Sequence, residues 1–332
     1  MNTADTYLEE FKNLIKNVDG YEDIVNGKFP SVSEMLSMIL SKFAAEFDVY
    51  LELFIFCVAV VLFSALVREV DEKITVPVGI AASAVVVVSI MRSGLISDET
   101  FFGGVTEISN FVKAFVPIFA VVTALSGDIT LSGVYGGVAL FCLEIFSKMN
   151  VEILMPVIHL LISVGVISGL SGGERTGNVS AAIKKMFIAC QCALSSLMLT
   201  VLSLNGFAAH GTDTLMFKTG KMLTGAAVPV IGSTISGSYE TLAACFEAAS
   251  GIIGAGGMFV IFITVAPYVI RICLFILVMA GSEILSGFLS CKNTERVFAA
   301  FKNAGILVIS SYAFEIIVLV AGISIMMVVG KV

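Results

Sequence analysis

Charge is excluded from long stretches of this 332-residue chain and gathered into short segments between them. Apolar runs of about 15–25 residues follow one another from Leu51 to Val329, close to the ~20 residues a helix needs to cross a bilayer. Charged residues make up 14%, against the usual quarter, and mean hydropathy is +1.01. A soluble surface of this size would need more charge, so the pattern predicts an all-α polytopic membrane protein. The aromatic content is 25 Phe and 7 Tyr with no Trp, which removes the indole belt that often anchors helices at the interface.

The runs fall in a definite order. Residues 1–48 form an amphipathic N-terminal segment. Tyr7, Leu8, Phe11, Leu14, Ile15 and Val18 recur at helical spacing, and Ser31-Val32-Ser33-Glu34 is a capping box that opens a second helix. Its stripe is Met35, Ile39, Leu40, Phe43 and Phe47, read as a lead-in lying on the membrane surface or docking on a partner. Residues 49–92 form a transmembrane hairpin, with runs at 51–67 and 74–91 joined by a short charged linker. An acidic loop follows at 97–110. Runs at 111–125, 131–147, 151–170 and 186–209 come next, then 222–236, 240–256, 258–280 and 304–329.

These eight runs divide into two membrane repeats, 111–209 and 218–330. Val116-Pro117-Ile118 reappears as Val228-Pro229-Val230 and Pro156 as Pro267, about 112 and about 111 residues later. The sequence Ala181-Ala182-Ile183-Lys184 matches Ala299-Ala300-Phe301-Lys302 with a slip of about six. In each repeat the first two runs are short or weak, and the expectation is a short or re-entrant pair followed by two full spans. Crossing of the bilayer by every run is the alternative. Arg175, Lys184 and Lys185 fall in one connection, and Lys292, Arg296 and Lys302 in the matching one, so both belong in the cytoplasm. An even number of crossings separates them, which makes the repeats parallel and puts the N-terminus outside. Lys218 and Lys221 then fall outside as well.

Several function classes drop out. Net charge is −7 with no basic stripe, which argues against nucleic acid. The two histidines, His159 and His210, are too far apart for an HExxH zinc site, and neither a GxxxxGK[ST] phosphate loop nor a GxSxG elbow occurs. No metal site, cofactor or enzymatic activity is expected. Six of the seven cysteines lie within apolar runs and behave as small hydrophobes; Cys291 is a lone loop thiol. Met1-Asn2-Thr3-Ala4-Asp5 is polar, and no signal peptide is visible.

What remains is charge inside apolar runs. An ionisable group at membrane depth costs about 2.5–3.5 kcal/mol on insertion scales and so faces protein or water. Glu144, His159, Glu247, Arg271 and Glu315 are the candidates. They read either as a polar pathway at the repeat interface or as an internal ion pair, such as Arg271 with Glu315 or Glu247, that fixes helix packing. Pro117, Pro156, Pro229 and Pro267 are candidate helix breaks. Gly133-xxx-Gly137 and Gly165-xxx-Gly169 permit close helix approach.

The stretch Phe217-Lys218-Thr219-Gly220-Lys221, with Val228-Pro229-Val230-Ile231-Gly232, Leu242, Gly251, Gly254 and the Pro267 segment, resembles the stage III sporulation protein AE family. Phe115-Val116-Pro117 and the Leu-Ser-Leu-Asn-Gly of 202–206 fit it too. The resemblance covers about residues 50–329 and implies a polytopic protein of the mother-cell membrane that surrounds the forespore. Its implied partners are the other stage III A proteins and a forespore protein, joined in a channel or secretion-like assembly. Energy would come from a separate ATPase subunit. A further copy of the chain is a candidate partner, and the bilayer is a certain one. The family's usual signal peptide is not visible, and an outside N-terminus is what its cleavage would leave. The resemblance carries no catalytic residues. A conduit subunit of that complex, a stand-alone secondary transporter using the buried ionisable groups, and a membrane scaffold are the three readings.

Overall fold

A computed structural model describes residues 32–70, 74–125, 129–171, 175–209 and 252–329. Among these residues the chain is all-helical: α1 Val32–Val70, α2 Thr75–Arg92, α3 Asp98–Leu125, α4 Ile129–Ser171, α5 Arg175–Ala209, α6 Ile252–Phe288 and α7 Lys292–Val329. Six contain a stretch long and apolar enough to cross a membrane: Ser37–Glu69, Thr75–Arg92, Glu144–Ser171, Val179–Val201, Gly257–Phe288 and Lys292–Ser324. The Tyr7–Val18 stripe and the runs at 222–236 and 240–256, with Pro229 and Glu247, lie outside the described residues. The pairing of the two repeats therefore rests on sequence.

Several expected breaks are helical. The capping-box helix continues without interruption into the first span as the 39-residue α1, so the boundary drawn at 48 falls inside one helix. The acidic 97–110 segment forms the opening turns of α3. Phe101, Phe102, Val105, Ile108, Val112 and Phe115 fall at helical spacing and are all buried, while Glu107 faces out. The runs at 131–147 and 151–170 are a single 43-residue helix, α4, about 65 Å long against a hydrocarbon core of ~30 Å. Lys148 and Glu152 lie four apart on its outer face and pair at 3.7 Å, so charge continues the helix there instead of ending it. Pro117, Pro156 and Pro267 all sit inside helices.

Helix α7 is the hub. Its most apolar stretch is 67% buried, against 22–39% for the other five spans, and it packs on α2, α3, α4, α5 and α6. Large side chains on the outer helices, among them Phe63, Leu66, Leu160, Ile167, Leu277 and Ile284, face outward toward lipid. The tightest seam is between α4 and α7. A Cβ at Gly165 would stand 1.9 Å from Cβ of Ala300, and one at Gly169 would stand 2.3 Å from Cγ2 of Val297. The spacing read from sequence therefore lets two backbones meet, as small-xxx-small pairs do in membranes. Gly133 and Gly137 lie in the first turns of α4.

The ends of α1 and α4 and the starts of α2 and α7 converge. Arg68 donates to the carbonyl oxygens of Ser290 at 2.8 Å and Leu289 at 3.5 Å. Asn293 lies against both Gly79 and Gly169. The α6–α7 turn closes with Cys291 N–H donating to Ser286 O at 2.8 Å and Ser290 N–H to Gly287 O at 3.0 Å. Ser290 there has φ 56°, the left-handed conformation that normally selects glycine. Arg68 thus adds a cation to the free carbonyls of the α6 terminus.

Gly165→Val should destabilise the detergent-solubilised protein by about 1–3 kcal/mol or more, because the valine has no space against Ala300. The thermal unfolding midpoint reads this. Ile167→Val, on the outward face of the same helix, should leave the midpoint almost unchanged.

Candidate functional site

The buried polar side chains of this bundle converge on α7. Ser311 and Glu315 lie four apart on one face of it, and Ser147 and Asn150 lie three apart on the facing side of α4. Gln191 of α5 completes the group, and all five are at most 5% exposed. Apolar neighbours at the same helical spacing, such as Phe146, Leu154, Ile188, Leu307 and Tyr312, are buried with them, which fixes the rotation of each helix.

Gln191 bridges the three helices. Its Nε2 donates to Oδ1 of Asn150 at 2.9 Å and to Oγ of Ser311. Its Oε1 can accept from Ser310 at 3.4 Å, and its backbone oxygen accepts from Ser195 at 2.8 Å. Asn150 therefore presents its Nδ2 away from Gln191, and that nitrogen has no partner among the described residues. Ser147 Oγ and both carboxyl oxygens of Glu315 are also without one. Ser147 and Asn150 are the polar side chains beside Glu315, but none of the four atoms reaches hydrogen-bond geometry with another.

The seam continues toward the start of α7. Lys184 donates to Oδ1 of Asn303 at 2.6 Å, Asn303 donates to Ser180 at 3.4 Å, and Lys302 pairs with Glu283 of α6. From Asn303 to Glu315 this polar line runs about 18 Å along α7. A separate open groove between α1 and α2, of ≈ 790 Å³, is lined mostly by apolar residues with Glu52 and Arg92 at its edges. It touches none of the cluster residues and faces the lipid side, so the polar line is the better candidate.

The residues singled out from sequence have different fates. Glu315 is 2% exposed and central. Glu144 and His159 are exposed on α4, and the His159 carbonyl oxygen accepts from Ser163. Arg271 does not pair with Glu315, and Glu247 lies outside the described residues. Its Nε and Nη2 donate to Oε1 of Glu46 on α1, at 2.8 and 2.7 Å. Tyr268 and Tyr312 both abut Gly104, but α6 and α7 run antiparallel, so Arg271 and Glu315 step away from that level in opposite directions, about 9 Å apart along the bundle. Asn150, Gln191 and Asn303 were not singled out; the available signal was an amide recurring at helical spacing with serines inside an apolar run. Among the described residues no group of three His, Cys, Asp or Glu side chains could hold a metal ion. Burial pushes the thiol of Cys291, in the α6–α7 turn, above its usual range and keeps it protonated. A buried acid flanked by a hydroxyl and an amide can hold a proton or order water.

A family model described as stage III sporulation protein AE matches residues 10–330. The stage III sporulation protein AE of Bacillus subtilis (strain 168) is 22% identical over 138 residues, 42% of this chain. That match spans 35% of the relative's length. No solved structure matches the chain.

Gln191→Leu would leave Asn150 and Ser311 without their buried bridge, so it should cost about 1–3 kcal/mol of stability. Glu144→Gln and His159→Gln should stay within about 0.5 kcal/mol of the unaltered protein. Thermal unfolding of the purified proteins distinguishes the two classes.

Proposed function

The chain belongs to the stage III sporulation protein AE family, and from that premise we propose that it is an integral membrane subunit of the mother cell–forespore channel complex needed for endospore development. The observation that carries this reading is the family match over nearly the whole chain, joined to six apolar helices of spanning length. The polar line along α7 supports a conduit or transport role within that complex. On this reading the subunit is non-enzymatic. Energy would then come from a separate ATPase subunit.

The placement of charge supports a defined orientation in the mother-cell membrane around the forespore. Arg68, Lys184, Lys292, Arg296 and Lys302 lie toward the end of the bundle where α1 and α4 finish and α7 begins. Such a basic end belongs in the cytoplasm. The N-terminus of the chain is then non-cytoplasmic, and the two proline-marked repeats run parallel. Glu315, without a partner among the described residues, also favours a second reading, a secondary transporter that works alone through a buried ionisable group.

Co-purification from sporulating cells separates these readings. The other stage III A proteins, including the ATPase subunit, should accompany the tagged chain, and its deletion should arrest forespore development. A stable chain recovered alone would remove the complex. For orientation, Lys185→Cys and Lys292→Cys should both react with a membrane-impermeant thiol reagent from the cytoplasmic side, as read by peptide mapping. Reaction of both from the other side would invert the topology.

A further inference from the structure

Glu315 is the carboxyl whose surroundings least suit an anion. It is 2% exposed, accepts no hydrogen bond and forms no ion pair among the described residues. The groups facing it can be named helix by helix. On α7 there is Tyr312, whose hydroxyl donates to the Phe101 carbonyl oxygen at 2.8 Å. On α6, Tyr268 lies beside Tyr312, while Arg271 is committed to Glu46. On α4, Ser147 and Asn150 face it, whereas Glu144, Lys148 and Glu152 are exposed. On α5, Gln191 faces the cluster and Lys184 is held by Asn303. Glu107 and Lys113 of α3 and Arg92 of α2 are exposed. Among the described residues no cation is therefore placed to offset a charge on Glu315, and removing an uncompensated carboxylate from water is strongly unfavourable.

The unpartnered atoms form a matched set for a neutral acid. A protonated carboxyl has one O–H donor and one carbonyl acceptor. Ser147 Oγ can accept the first, and Asn150 Nδ2 can donate to the second. Gln191 determines this arrangement, because by occupying Asn150 Oδ1 it turns the amide nitrogen away from itself. After loss of the proton, both Ser147 and Asn150 can donate to the carboxylate, so the same two side chains serve either state. The charge itself still lacks a counter-ion and requires water or a cation to enter between α4 and α7.

We propose that Glu315, with Ser147 and Asn150, is a proton-binding site inside the bundle, and that release of its proton admits water to the α4–α7 seam. This goes beyond membership in a complex, since the site needs no partner subunit and can be tested on the purified full chain.

Dicyclohexylcarbodiimide, an apolar reagent for protonated carboxyls, supplies the test, with modified residues identified by peptide mass spectrometry. Glu315 should be modified at mildly acidic pH, and modification should decline toward alkaline pH. Glu69, exposed at the charged end of α1, should not react and serves as the internal control. Glu315→Gln should abolish the labelled peptide without lowering the unfolding midpoint. Ser147→Ala removes a donor that bonds the charged form more strongly than the neutral one. It should therefore move the decline to proton concentrations about tenfold lower. Three results would overturn the proposal: no labelling of Glu315 in protein with a normal unfolding midpoint, labelling that does not change with pH, or labelling suppressed by Na⁺ at constant pH and ionic strength. The last would make it a sodium site instead.

Discussion

The contact of α4 with α7 at Gly165 and Gly169 governs this structure. Lipid tails are as apolar as leucine, so burying apolar side chains between helices gains little within a membrane. Association depends instead on close packing and on polar groups satisfied across helix interfaces. Two glycines on α4 remove the side chains that would hold the helices apart, and Ala300 and Val297 fill the space. With α4 held so close, Asn150 and Ser147 are brought against α7 further along the same seam. The site around Glu315 follows from the same close approach that makes α7 the hub.

Much of the architecture was legible in the sequence because hydropathy reports the membrane directly. Among the described residues, six long apolar helices and the Gly165-xxx-Gly169 seam appear where the residues suggested. Errors arose where charge lies on one face of a helix. The gap at 148–150 around Lys148 read as a break, yet Lys148 pairs with Glu152 on the outside of α4 while Asn150, between them, turns inward. The acidic opening of α3 read as a loop for the same reason. Averaging along the chain loses the side of the helix on which a charge stands, and only helical periodicity recovers it.

The candidate site was legible in part. Glu315 stood out as an acid in an apolar run, but so did Glu144 and His159, which the fold turns outward. Nothing local distinguishes these three; the distinction is made by which helix covers which face. Arg271 stood out as a residue needing a partner and was assigned Glu315 or Glu247, but Glu46 lies 225 positions away and no spacing rule connects them. The amides escaped notice because an uncharged Gln or Asn barely lowers the hydropathy of its run. In the fold these quiet residues set the amide orientation that Glu315 meets.

The pairing of Glu46 with Arg271 also imposes an order in time. The chain between them must be made before they can meet, and at about 5–20 residues per second those 225 positions take about 11–45 s. Arg68 waits nearly as long for the carbonyl oxygens of Leu289 and Ser290, 221 and 222 positions later. Throughout synthesis, then, α1 is a provisional occupant of the membrane, with its acid and its terminal arginine unclaimed by the chain. The first of the described helices is among the last to be fastened, and a nascent chain halted before α6 would hold an α1 without the pairings of Glu46 and Arg68.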